Sequence, residues 1–209
     1  NANSLGYSRT LPTSATPPYI PPPRLMTSIK NNRGAISTIT DDTKYNSWPA
    51  ACRMANGNIL AVYHKGNGHN TDNSGIIVRK ISTDDGATWG AESTVASDAS
   101  YGNINPGCIS LASGRVLATY NYFQYPIENP DYVRVKYSDD YGVTWSSMYT
   151  IDSTFSSWNA NGGTLTQLGN GNILLALYGL DIGGTYASAQ LFTATDDGAT
   201  FGSELALAE

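Results

Sequence analysis

Charge is scarce in this chain. Only 14% of its 209 residues are Asp, Glu, Lys or Arg, and the balance is negative, −5 at pH 7. Such a surface has no broad basic field, which excludes nucleic acid and anionic membranes as general partners; an anionic ligand would need a local basic pocket. Cysteine is scarcer still. Cys52 and Cys108 are the only two, too few for a disulfide framework and wrongly spaced for a metal site. Signatures of a Ser-His-Asp set, a phosphate loop or a zinc site are missing, and no cofactor is expected. No apolar run approaches the roughly 20 residues of a membrane span. The opening stretch NANSLGYSRT lacks the apolar core of a secretory signal. An extracellular or virion-associated location is therefore expected only through a removed leader or as part of a larger particle.

What is abundant is tyrosine and glycine. With 14 Tyr, 21 Gly and 40% apolar residues, the chain reads as a turn-rich, aromatic β-protein. Its length suits one large all-β domain, or a modest domain with a tail. Six of the ten prolines fall between residues 12 and 23. Residues 1–33 are expected to form a Pro-rich arm or linker, polyproline-like where the prolines run. A docking arm and a plain connector both fit.

From residue 34 onward the sequence repeats. STDDGATWG at 82–90 returns as SDDYGVTWS at 138–146 and as ATDDGATFG at 194–202, at intervals of 56 residues. GNILAVY (57–63), GRVLATY (114–120) and GNILLALY (171–178) recur at a spacing of 57. Each of these is a turn glycine followed by an apolar run, the pattern of a buried strand. A short apolar segment precedes each run (WPAACRM, NPGCISL, GGTLTQL), and a third strand follows a variable loop (GIIVRKI, DYVRVKY, SAQLFTA). The Asp- and Gly-rich phrase and a fourth strand (GAESTVA, SSMYTID, GSELALA) close each unit. Four antiparallel strands repeated at this period describe β-propeller blades, at about 45–97, 102–152 and 159–208.

The repeated phrase fits the hairpin between third and fourth strands. Asp84, Asp140 and Asp196 are placed to accept turn amides, and Gly86, Gly142 and Gly198 to take positive φ. Thr88, Thr144 and Thr200 favour strand entry; Trp89, Trp145 and Phe201 supply rings to pack between sheets. A calcium loop is the competing reading, but the spaced ligand series and distal Glu are missing. Cys52 lies five residues before its turn glycine and Cys108 six before its own. Opposite parity should turn them to opposite sides of equivalent strands, arguing against a disulfide and for two small buried hydrophobes.

The three phrases are Asp-boxes, and residues 34–209 resemble the sialidase (neuraminidase) superfamily. The resemblance implies an all-β, Asp-box β-propeller of four-stranded antiparallel blades, of which three are present. GAISTIT at 34–40 also matches the fourth strand GAESTVA at 90–96. This orphan outer strand calls for a blade that the sequence does not contain, and three blades cannot close a ring. The inference is half of a six-bladed propeller, with the missing half supplied by a longer chain or another subunit.

In sialidases the active site opens at the end of the propeller opposite the Asp-boxes. The loops there include YNSWPAAC (45–52), HKGNGHNTDNSG (64–75) and NYFQYPIENPD (121–131). The superfamily's exo-acting members carry an aromatic-Arg-Ile-Pro motif where this chain has Asn46-Ser47-Trp48-Pro49, so Ser47 replaces the first carboxylate-binding Arg. The acid/base Asp of those enzymes comes from the loop filled by 64–75, where Asp72 stands near the position. Phage-tail endosialidases, which cleave polysialic acid capsules, are a narrower resemblance. Tyr45, Trp48 and His69 are similar in type and order to a Tyr and Trp three apart and a His from the next loop in those enzymes.

The candidate substrate-binding residues are therefore Tyr45, Trp48, His64, His69, Tyr122 and Tyr125, with Asp72 and Glu128 as candidate catalytic carboxylates. Aromatic faces stack on sugars and imidazoles bond hydroxyls or carboxylates. Each candidate also has a plain structural reading: channel-sealing rings, surface histidines, and turns at Asp72 and Glu128. Arg79 and Arg134, on third strands, fit blade-bridging as well as carboxylate clamping. The partner that the resemblance implies is a glycan or polysaccharide, with sialic acid-containing glycans among the candidates. The implied activity is glycoside hydrolysis of sialylated or capsular polysaccharide by the complete propeller; the alternative is a non-catalytic glycan-binding or assembly module.

Overall fold

The structure, a computed structural model, describes residues 38–69, 71–126, 132–155, 159–160, 165–180 and 187–202. The Pro-rich arm, residues 34–37 of the expected orphan strand, Glu128 and the expected last strand of the third unit lie outside the described residues. No helix occurs among the described residues, which form three antiparallel sheets. The first runs β1 (Tyr45–Arg53), β2 (Ile59–Gly66), β3 (Ile76–Ser82) and β4 (Ser93–Ala96) in sequence order. The second repeats it with β5 (Gly102–Ser110), β6 (Val116–Phe123), β7 (Tyr132–Ser138) and β8 (Tyr149–Thr150). In the third, β11 (Ile173–Leu180) pairs on one side with β12 (Ala187–Ala194). On its other side it pairs with two short strands, β9 (Asn159–Ala160) and β10 (Thr166–Gln167).

The apolar runs decide which strands are central. All eight residues of β6 are buried, because its two faces belong to two different cores. Val116, Ala118 and Tyr120 join Leu60, Val62 and Ile77 between the first and second sheets. Leu117 joins Val133, Leu175 and Phe192 between the second and third. A fully buried leucine such as Leu60 or Leu117 contributes about 2 kcal/mol of burial free energy. Stacked sheets sharing cores on both faces are the arrangement expected of consecutive propeller blades.

The Asp-box hairpins are built from side-chain-to-backbone bonds. Asp140 Oδ1 accepts from the Thr144 amide at 2.8 Å and from the Ser138 hydroxyl at 2.8 Å, while Oδ2 accepts from the Thr144 hydroxyl at 2.6 Å. Asp84 and Asp196 repeat the Thr88 and Thr200 bonds. The Ser partner is lost in the third box, where Ala194 stands in its place. Gly86, Gly142 and Gly198 have positive φ, and so do the residues before them, Asp85, Tyr141 and Asp197. Phe201 is buried in the second–third core and Trp145 packs on the first–second.

The cysteines face opposite sides of their strands and yet share one core, contrary to the expected separation. Cys52 pairs with Leu60 and Cys108 with Ala118, so the two do face opposite sides of equivalent strands. Because β1 and β5 belong to adjacent stacked sheets, opposite sides are the ones that meet. Both cysteines are free and partly exposed, and both pack against one shared core.

Of the expected orphan strand, residues 38–40 are described and form no strand. They nevertheless hold an informative position. Lys80 Nζ donates to the Ile39 carbonyl at 2.6 Å, and Lys136 Nζ donates to the Val95 carbonyl at 2.9 Å. Lys80 and Lys136 are repeat equivalents, and so are Ile39 and Val95 of β4. Ile39 therefore stands to the first sheet as the fourth strand of the first sheet stands to the second.

Candidate functional site

The end of the sheets remote from the Asp-boxes is shaped by a defect repeated in β1 and β5. Ser47 pairs with His64 and Ala50 with Val62, leaving Trp48 and Pro49 opposite Tyr63 alone. Likewise Ile104 pairs with Asn121 and Gly107 with Thr119, leaving Asn105 and Pro106 opposite Tyr120. Each is a β-bulge, which bends the strand and re-aims a side chain. At the bulge both Trp48 (φ 47°) and Asn105 (φ 53°) are left-handed. Asparagine tolerates that conformation; a bulky ring does so at a cost of about 1–3 kcal/mol.

The bulge delivers Trp48 into a cluster of rings. Its centroid lies 4.5 Å from that of His69, 5.2 Å from His64 and 6.5 Å from Tyr45. The Tyr45 hydroxyl is 2.8 Å from His69 Nδ1. Tyr45 and His69 are exposed, Trp48 is half-buried, and His64 beneath them is buried. His64 Nδ1–H donates to the Asn103 carbonyl at 2.8 Å, and burial holds its pKa below the ordinary histidine value. It is a neutral, fixed floor for the cluster. Gly66 and Gly75 make room for it: a Cβ on Gly66 would stand 2.8 Å from His64 Nε2, and one on Gly75 2.6 Å from Cε1.

The second-sheet candidates form a neighbouring group. Tyr122 stacks on Tyr101 at 4.2 Å, and the Arg134 guanidinium lies 3.3 Å over its ring. Tyr120 is buried, and its pKa is pushed up to about 12 chiefly by that burial. A crevice of about 310 Å³ between the first two sheets is lined by Asp98, Asn103, Tyr120, Arg134, Lys136 and Met148, among others. A matching one of about 210 Å³ lies against Ile39, Thr40, Asn46, Ser47, Pro49 and Tyr63. Tyr125 is exposed, and Asn73 joins its loop to the first sheet: Asn73 Nδ2 donates to the Tyr125 carbonyl at 3.0 Å, and the Tyr125 amide donates back at 2.7 Å.

The structure thus brings Tyr45, Trp48, His64 and His69 into contact, and joins the loop of Tyr125 to theirs. Asp72 serves a turn: it accepts from the Ser74 amide at 2.8 Å and from the Ser74 hydroxyl, and these bonds lower its pKa. A carboxylate held ionised in this way can accept a proton or bond a hydroxyl, but stores no proton at neutral pH. Arg79 is half-buried, and burial lowers its pKa. Asn103, Gly66 and Gly75 were not singled out by sequence, although Asn46-Ser47-Trp48-Pro49 and Asn103-Ile104-Asn105-Pro106 form a visible repeat. Among the described residues no group of three or more His, Cys, Asp or Glu side chains is placed to hold a metal, and no helix is long and apolar enough to cross a membrane.

No protein-family model and no curated protein matches this sequence. Solved structures do match in fold. A Hadza microbial sialidase superposes with a TM-score of 0.61 at 17% identity, over 75% of this chain and 36% of its own. The intramolecular trans-sialidase from Ruminococcus gnavus, in complex with oseltamivir carboxylate, gives 0.64 at 13% identity over 79% and 62%. The Penicillium chrysogenum α-L-arabinanase complexed with arabinobiose gives 0.56 at 19% identity over 77% and 48%. The chain spans less than two thirds of the length of each. At these identities the likeness is one of fold: three antiparallel sheets of the sialidase-like propeller type.

Proposed function

We propose that this chain is a carbohydrate-directed module that binds a glycan across Tyr45, Trp48 and His69. One observation carries the reading. Where the equivalent bulge of the second sheet uses Asn105, the first spends backbone strain on Trp48 and surrounds it with partly exposed rings. Strain retained at a surface aromatic points to a ligand, and ring faces with a nearby hydroxyl and imidazole suit sugars. The fold neighbours named as a sialidase and an arabinanase are glycan-acting proteins, which supports the same substrate class.

Within that reading, the complete protein hydrolyses sialylated or capsular polysaccharide in the manner of an endosialidase, outside the cell or on a virion. Glu128 is the proposed proton donor. The complete ring is six-bladed, and the position of Ile39 against Lys80 supports an outer strand belonging to a further blade. The second reading, a non-catalytic glycan-binding or assembly module, is favoured by Ser47 in place of an Arg and by the turn bonds that occupy Asp72. Incubation with polysialic acid and, separately, arabinan distinguishes the two. Shortening of either polymer, lost in Glu128→Gln, supports hydrolysis; binding without shortening supports the second reading. No binding to either would remove the proposal.

A further inference from the structure

The crevice of about 310 Å³ on the second sheet carries a charge balance that its counterpart on the first sheet does not. Both are built on one plan. Strand alternation puts Tyr120, Tyr122, Arg134 and Lys136 on the face of the second sheet that is turned toward the first. Their repeat equivalents on the first sheet are Tyr63, Lys65, Val78 and Lys80. The chain approaches both crevices through the same turn. Asp42 Oδ1 accepts from the Lys44 amide at 3.0 Å, and Asp98 Oδ1 accepts from the Ser100 amide at 2.9 Å.

The first sheet neutralises its own charges here. Lys65 forms ion pairs with Asp42 and Glu92, and Glu92 also accepts from the Tyr63 hydroxyl at 2.7 Å. On the second sheet Met148 takes the position of Glu92, and Arg134 that of Val78. A carboxylate is lost and a guanidinium is gained. Arg134 and Lys136 line the crevice, with Asp98 as the carboxylate among its lining residues. Neither cation forms an ion pair with another described residue.

Both cations are held in place with donors to spare. Tyr122 lies between the Arg134 guanidinium and the Tyr101 ring, and the buried Nε–H of Arg134 has no hydrogen-bond partner among the described residues. Lys136 Nζ donates to the Val95 carbonyl at 2.9 Å, a bond that uses one of the three ammonium protons. Both side chains are half-buried, and burial lowers the Lys136 pKa. A half-buried cation of this kind is stabilised by an opposite charge beside it.

We propose that this crevice binds a small oxyanion, with Arg134 and Lys136 donating charge-assisted hydrogen bonds to its oxygens. Tyr120 lines the same crevice, and its neutral phenol is a further donor. The oxyanion is a free ion or the acidic substituent of a sugar; the chemistry recognised is the same, and the volume lies at the low end of small-molecule pockets. Tyr45, Trp48 and His69 are not among the lining residues, so the site stands apart from the proposed glycan platform.

The test is a calorimetric titration of the folded full chain with sodium sulfate and, separately, sodium glucuronate. Sodium chloride holds ionic strength constant, and glucose is the neutral control. Three variants are titrated beside wild type. Arg134→Val installs the first sheet's residue and removes a ligand. Met148→Glu restores the first sheet's carboxylate at an exposed position, so it supplies an internal counter-ion without threatening the fold. Trp48→Ala leaves the crevice intact. The expected result is one saturable sulfate site in wild type and Trp48→Ala, weakened at least tenfold in Arg134→Val and in Met148→Glu, the latter melting no lower than wild type. Glucuronate that competes with sulfate, while glucose gives no heat, would assign the oxyanion to a sugar; sulfate alone would assign it to a free ion. No saturable binding of either anion would overturn the proposal, as would sulfate affinity unchanged in Met148→Glu.

Discussion

Trp48 combines a strained backbone with a partly exposed ring cluster. Its left-handed φ opposes its ring contacts energetically: the conformation costs about 1–3 kcal/mol, and a partly exposed aromatic cluster returns a comparable amount. Replacement by the residue that the sister bulge uses separates the two effects. Trp48→Asn is expected to change stability by no more than about 1 kcal/mol in chemical denaturation, because relief of strain offsets the lost contacts. Glycan binding should nonetheless fall by an order of magnitude or more in a calorimetric titration. The identity and order of Tyr45, Trp48 and His69 were legible in the sequence. The bulge was not, because a left-handed tryptophan leaves no mark in hydrophobic periodicity; only comparison of NSWP with NINP exposes it. Asn103 acts through its backbone carbonyl, and Gly66 and Gly75 by lacking a side chain, so none of the three shows as a chemical motif. Gly75→Ala tests their role. Its Cβ would meet His64 and, at 2.9 Å, the Asn103 carbonyl, and a backbone atom cannot step aside. A loss of roughly 2 kcal/mol is expected from overpacking, read as a lowered Tm.

Among elements, the Asp-box hairpins and the bulges divide the labour. The hairpins were readable in full because their chemistry is local: Asp, Gly and Thr at fixed offsets close a turn whatever lies around it. Removing Asp140 deletes three side-chain bonds at a half-exposed turn. Asp140→Ala should cost about 1 kcal/mol while the folded fraction binds glycan unchanged. The same bonds predict an acid response. The Thr88 and Thr144 bonds hold the pKa values of Asp84 and Asp140 at about 2, below the ordinary carboxylate value. A depressed folded pKa gives stability that is present above the unfolded value of about 4 and is lost as pH falls through the folded one. Denaturation midpoints should therefore fall between about pH 4 and pH 2, with a smaller fall in an Asp84→Asn, Asp140→Asn double variant. An equal fall in that variant would assign the acid response to other groups. The cysteines teach the complementary lesson. Parity along a strand was legible, but which faces meet depends on how sheets stack, and that is a non-local fact.

At the scale of the whole molecule, the repeat extends past the strands to the crevices between sheets. Lys80 on Ile39 and Lys136 on Val95 mark the same joint twice, whereas the third sheet puts Phe192 at the equivalent place and buries it. This repetition supports the proposed further blade before the first sheet. The isolated 209-residue chain is expected to self-associate through its unpaired edges in sedimentation at micromolar concentration; a monodisperse monomer would count against the half-ring. On the proposed function the two ends of these sheets differ in kind, one structural and one made for a ligand. A glycan titration paired with thermal melts, on Trp48→Ala beside Trp145→Ala with polysialic acid and arabinan as probes, tests this most directly. Folded Trp48→Ala is expected to lose most of its binding at a nearly unchanged Tm, while Trp145→Ala melts lower and its folded fraction binds as wild type. Unaltered binding by folded Trp48→Ala would contradict it.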